Sequence, residues 1–176
     1  MRPIIPIFLF IALAASSCSS EYGKHLRRNA PSYALFAGAG MANGAADVMR
    51  DKYSVSRFPQ EQPGRQFWDA SISWRNKYKD WPTDTRPAFP GAKTWLVWTT
   101  DGWHLAKMHQ LALSKGAILT YNRPPPKVVV VPELYPATGT REESKTRWWW
   151  YVADFAIYSV AFSGGWHISS NFLIIK

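Results

Sequence analysis

The run from Trp148 to Ile175, WWWYVADFAIYSVAFSGGWHISSNFLII, restricts the fold more than any other stretch of this chain. Asp154 and His167 are its only acidic or basic side chains. As one helix it would extend about 42 Å, against a bilayer hydrocarbon core of about 30 Å. Lys145 and Arg147 precede a Trp-Trp-Trp-Tyr girdle, and Lys176 closes the far end. Aromatic and basic anchors at the ends of an apolar run are the pattern of a spanning helix. The Gly164-Gly165 pair is a place for a kink. Buried strands are the alternative, since β-branched residues are many and several positions alternate. The expectation is a membrane helix over 148–175.

The other end carries an address. Arg2 is followed by an apolar run from Ile4 to Ala15, then Ala14-Ala15-Ser16-Ser17 and Cys18. A charged start, a short apolar core and small residues at the cut are the parts of a secretory signal peptide. Cys18, the only cysteine, stands where a lipoprotein signal peptidase would leave it as the new N-terminus. This arrangement resembles a bacterial lipoprotein precursor. The resemblance implies a signal peptide at 1–17, a lipid on Cys18 and a place in a bacterial cell envelope, with inner and outer membrane both open. Ala15 departs from the leucine usual three residues before the cysteine. Residues 18–30 then read as a polar, basic tether, and 31–176 as one membrane-associated domain.

Composition narrows the partners. The net charge of +9 favours an anionic partner, and an exported chain makes lipid headgroups a better match than nucleic acid. One cysteine allows no internal disulfide and no zinc-finger spacing. GAGMANGAAD lacks a preceding strand and a Walker lysine, which excludes a nucleotide loop. Ten tryptophans fit three settings: the membrane interface, a ring-rich core, or a sugar-stacking platform.

Within the domain, 33–49 reads as a helix with a smooth small-residue face. Gly40 and Gly44 form a G-x-x-x-G pair for close helix approach. Asn43 and Asp47 share that side. Residues 69–81 read as a short basic helix, with Trp74, Tyr78 and Trp81 in one stripe and Pro82 as its stop. The stretch 94–115 has two readings. A strand ending at Thr99 leaves Thr100 or Asp101 as an N-cap; a continuous helix makes Asp101 and His104 a buried polar pair. Gly116 reads as a helix stop. AILTY (117–121) and KVVVV (127–131) read as short extended pieces, and 132–147 as polar and turn-rich. The fold class is therefore mainly α, a small helical domain with two short strands; α+β is the alternative.

Ionisable or amide groups inside apolar segments need partners or a purpose. Here they are Asn43, Asp47, Asp101, His104, His109, Asp154 and His167. Asp47, Asp101 and His104 are the candidate catalytic residues, as an acid–base set. With His167 they are also the candidate metal ligands, a carboxylate–histidine set suited to zinc or iron. No H-E-x-x-H or G-x-S-x-G pattern accompanies them, and a structural hydrogen-bond network is the simpler reading. No cofactor is expected beyond the lipid on Cys18. Trp74, Trp81, Trp148, Trp149 and Trp150 are the candidate membrane-interface residues; Gly40, Asn43 and Gly44 are the candidate helix-packing residues.

The blocks FWDASISWRNKY (67–78) and TDGWH (100–104), with Asn43-Gly44-Ala45-Ala46-Asp47, are similar to blocks in a group of small bacterial proteins of unknown function. The likeness covers about residues 35–110, and the apolar tail more loosely. It implies a membrane-associated, mainly helical protein and brings no activity. The expected function is a lipid-anchored envelope protein, a structural or accessory component that meets membrane lipid and other membrane subunits. A membrane-embedded metal protein or enzyme, and a tryptophan-lined glycan binder, are the alternatives.

Overall fold

Small residues along one long helix set the architecture. A computed structural model describes residues 20–124, 127–132, 140–145 and 148–175. The signal peptide and Cys18 lie outside the described residues. Helix α1 runs Glu21–Asp51, α2 Gly64–Trp68, α3 Ala70–Ser73, α4 Gly102–Thr120 and α5 Trp148–Leu173. Strands β1 (Tyr78–Asp80) and β2 (Asp84–Pro87) pair antiparallel, as do β3 (Lys127–Pro132) and β4 (Thr140–Lys145). The protein is mainly α with short strands.

α1 begins ten residues before the expected domain start, so most of the expected tether is helix. Ser20 caps it, its Oγ accepting from Gly23 N at 3.0 Å, and Glu21 complements the positive helix end. Pro31 lies inside the helix and does not end it. α1 is the central element, and α4 and α5 flank it.

α4 packs antiparallel to α1: Met49 approaches Gly102, Gly38 faces Leu113 and Leu35 faces Gly116. Gly116 is therefore a packing position, not a stop, and 117–120 are helix rather than strand. α5 runs parallel to α1 along a glycine seam. A Cβ on Gly40 would collide with the Phe162 carbonyl, one on Gly44 would lie 2.7 Å from the Trp166 carbonyl, and one on Gly165 would collide with the Ala37 carbonyl. The two backbones thus touch where side chains would hold them apart, the G-x-x-x-G geometry of close helix pairs. The far end of α5 is tied back by Arg57 N donating to Leu173 O (2.7 Å) and Ile175 N to Val55 O (2.8 Å).

The interior is built largely of small and polar side chains, while many large apolar ones face outward among the charged residues. Among the described residues the buried hydrophobic side chains are mostly alanines, with Val48, Met49, Tyr53 and Trp150 the larger ones. Ala46, Met49 and Ala106 form a core cluster beside Phe58, Trp68 and Trp103. Trp148, Val152, Phe155, Val160, Ile168 and Phe172 of α5 are exposed along its length, as are Leu111, Ile118 and Leu119 of α4.

Two expectations are corrected here. The 148–173 stretch is one helix, but no helix among the described residues is long and apolar enough to cross a membrane. In α5, Asp154, His167, Asn171 and several serines interrupt the apolar run, and its tryptophans and tyrosines are interfacial rather than hydrocarbon-loving. Residues 69–81 are not one helix either. α3 gives way to a 3-10 turn at Trp74–Lys77 and then to β1. Trp74, Tyr78 and Trp81 still meet, with Trp74–Trp81 centroids 4.9 Å apart and Tyr78–Trp81 5.0 Å apart.

Candidate functional site

The start of α1 and the first two turns of α5 lie at one end of the bundle, and the end of α4 meets them there. Asp154, 2% exposed, sits among their side chains. Its carboxyl group faces His25 Nε2 at 2.8 Å and accepts from Tyr33 Oη at 2.7 Å and Tyr121 Oη at 2.6 Å. Asn29 Nδ2 lies 3.2 Å from the His25 ring, one helical turn on. Asn29 also clamps the chain after α4: its Nδ2 donates to Asn122 O at 3.0 Å, and Asn122 N donates to its Oδ1 at 2.7 Å. Ser32 bonds to both Tyr158 Oη and Ala117 O, tying α1 to both neighbours.

Burial, and then the nearby Asp154 carboxyl, raise the phenols of Tyr33 and Tyr121 far above their ordinary range. The same causes push Tyr22 up to about 12. Tyr22 packs on Trp149 and Trp150 at centroid distances of 5.3 and 5.1 Å. Trp150 is 3% exposed, so it is a core ring, which corrects its expected place at a membrane interface. Trp148 and Trp149 beside it are exposed. Sequence reasoning singled out Asp154 but not His25, Asn29, Tyr33, Tyr121 or Asn122. The i, i+4 spacing of His25 and Asn29 was the one available signal, in a stretch read as tether.

The same end carries a basic pocket of about 170 Å3, lined by Glu21, Lys24, His25, Arg28, Asn122 and Arg123.

At the opposite end, Asp101 caps α4. Its Oδ1 accepts from His104 N at 2.9 Å, and its Oδ2 lies 2.7 Å from His104 Nδ1 and accepts from Thr100 Oγ1 at 3.0 Å. Both sequence readings of this residue thus hold together: it is the N-cap and the partner of His104. The His104 side chain is 26% exposed. Burial alone would raise the Asp101 carboxyl, but the hydrogen bonds from the His104 ring and backbone, the charge on that ring and the Thr100 hydroxyl hold it below the usual range. Trp103 Nε1 and Ser73 Oγ are buried here without a hydrogen-bond partner among the described residues.

The remaining expected ligands go elsewhere. Asp47 accepts from Trp166 Nε1 at 2.8 Å and Asn43 Nδ2 at 3.3 Å, with the Arg50 guanidinium at 3.5 Å. Lys107 Nζ donates to Asn43 Oδ1 at 2.5 Å, so Asn43 joins α1 to α4 while Gly40 and Gly44 face α5. His167 is exposed and stacks edge-on to Trp166. The structure therefore does not gather Asp47, Asp101, His104 and His167 into one group. Among the described residues, no three His, Cys, Asp or Glu side chains are grouped to hold an ion. Asp47 is directed towards Trp166 of α5, whereas Asp101 is directed to its own helix end. The same separation leaves Asp101–His104 as a pair without Asp47. Trp74, Tyr78 and Trp81 are ringed by Arg75, Lys77 and Lys93, each within 6.0 Å of a ring centroid.

Comparison with known proteins finds no matching family model, curated protein or solved structure.

Proposed function

We propose that this protein is a lipid-anchored component of a bacterial cell envelope, held by acylated Cys18 and seated on the membrane by the end of the bundle where α1 begins. Its role on this reading is structural or accessory, within a membrane assembly. One observation carries it. The start of α1, two residues beyond Cys18 at Ser20, shares an end of the bundle with exposed Trp148, Trp149, Val152 and Phe155, exposed Ile118 and Leu119, and Lys24, Arg28 and Arg123. Exposed rings and aliphatics mixed with cations suit the headgroup region, where an indole keeps its ring dry and its N–H wet. Each cation near an anionic surface adds about 1 kcal/mol. Exposed apolar area on this scale marks a contact surface rather than ordinary exterior.

The test is flotation at neutral pH of the mature chain, residues 18–176 with Cys18→Ala and no leader, on vesicles containing anionic lipid, with intact mass spectrometry of the wild type for cleavage and acylation. Co-flotation of the variant with the vesicles is expected, with loss after Trp149→Glu and Phe155→Glu are added. A Cys18→Ala chain that stays wholly in the soluble fraction as a monomer would overturn the membrane seat.

A further inference from the structure

The pocket at the start of α1 has a construction that a general membrane seat does not require. Two of its cations, Lys24 and Arg28, stand one helical turn apart on α1, so they share a face. The third, Arg123, comes from beyond the end of α4. It is brought there by the two-point clamp between Asn29 and the Asn122 backbone, and Asn29 is itself fully buried against His25. Asn122 Nδ2 donates to the Arg28 carbonyl at 3.2 Å, a further tie between the two segments. Three cations therefore converge on a cavity that holds one carboxylate, Glu21. The Asn29–Asn122 hydrogen bonds fix the backbone that carries Arg28 and Arg123, while the three cationic side chains themselves stay exposed to a ligand.

Resting on the membrane seat of the proposed function, we propose that this pocket is a phosphate-binding site that takes the phosphodiester headgroup of an anionic lipid. A phosphate oxygen accepts charge-assisted hydrogen bonds from guanidinium and ammonium groups, and arginine matches it with a planar fork of donors. The cavity lies within the first two turns of α1, so a chain acylated at Cys18 holds it at headgroup depth. The positive end of the α1 dipole favours an anion at the same place. Free inorganic phosphate offers the same oxygens without the acyl chains, and separate vesicle and phosphate titrations distinguish the two.

The experiment uses the mature chain, residues 18–176 without the leader and with Cys18→Ala, so that neither an acyl group nor the apolar leader holds it to lipid. Its sedimentation with phosphatidylcholine vesicles is compared with and without phosphatidylglycerol, and its binding of inorganic phosphate is titrated separately. Arg28→Gln and Arg123→Gln each remove one pocket cation from an exposed position, and Lys79→Gln removes an equal charge from β1. Stronger binding to the phosphatidylglycerol vesicles is expected, weakened about tenfold by either arginine variant and unchanged by Lys79→Gln. If the arginine variants match Lys79→Gln, the pocket is not a site, and the membrane seat survives on its rings alone. If vesicles are not bound but phosphate is, and that binding depends on Arg28 and Arg123, the pocket stands for a free phosphate and the membrane seat falls. Binding to neither overturns both.

Discussion

Among the described residues, the bundle contains two carboxyl–histidine pairs, at opposite ends, and they differ in almost every physical respect. Asp154 and His25 come from different helices far apart in sequence, are 2% and 3% exposed, and recruit two tyrosines. Asp101 and His104 lie in one helical turn, and the ring of the pair reaches solvent. The first pair joins three segments of the fold. The second closes a helix end and leaves a ring nitrogen, Nε2, free of the carboxyl group. The same two residue types thus serve as a long-range clamp or a local cap, depending on sequence separation and on the groups around them.

The largest expected effect that tests this contrast is Asp154→Ala. It strands the His25 ring and two phenols in the interior, and should cost about 3–5 kcal/mol of stability by chemical denaturation. A loss no larger than that of Asp101→Ala would erase the contrast. Asp101→Ala removes an N-cap and the partner of His104, and a cost of about 1–2 kcal/mol is expected from the same measurement.

The two ends should also answer to opposite extremes of pH. At the clamp, burial and Asp154 raise Tyr33 and Tyr121, so folding favours the neutral phenols. Their contribution is complete below about pH 10 and is lost as pH rises past it, when the unfolded tyrosines ionise. Tyr121→Phe should cost about 1 kcal/mol at neutral pH and flatten the alkaline fall in stability. An unchanged alkaline limb would place the sensitivity elsewhere. At the cap, the Asp101 carboxyl is held low, so its contribution is present above about pH 4 and is lost as pH falls towards its folded value. Asp101→Asn should flatten the acid limb and leave the alkaline limb alone.

The smallest effect is expected from His104→Ala. With the backbone cap kept, it should cost under about 1 kcal/mol. A loss as large as that of Asp101→Ala would make the ring, rather than the cap, the stabilising part.

Legibility in the sequence followed the distance between partners. The mainly helical class was readable because small and apolar residues recur at helical spacing in 33–49 and 148–175. The Gly40/Gly44 face was readable because glycine on one stripe has few other uses. The β3 run of valines was readable from β-branching, but its partner β4 sits in a stretch read as turns. The spacing of the aromatic stripe 74–81 suggests a helix, yet its rings meet across a 3-10 turn and a strand. His25 was missed because polar, basic neighbours hide it, and nothing local says that Asp154 will bury it. Trp150 cannot be told from Trp148 and Trp149 by type; helix phase against α1 alone buries the third of the three.

By itself, then, the amino-acid order settled the helical character, the seam of small residues and the ability of Asp101 to cap a helix. Each of these depends on residues within a turn or two, where backbone geometry fixes the neighbours. The three-dimensional packing decided which carboxyl group became an interior hub, which tryptophan turned inward, and which cations gathered around one cavity. Those outcomes need groups from α1, α4 and α5 in one place, and only the parallel and antiparallel docking of the helices brings them together.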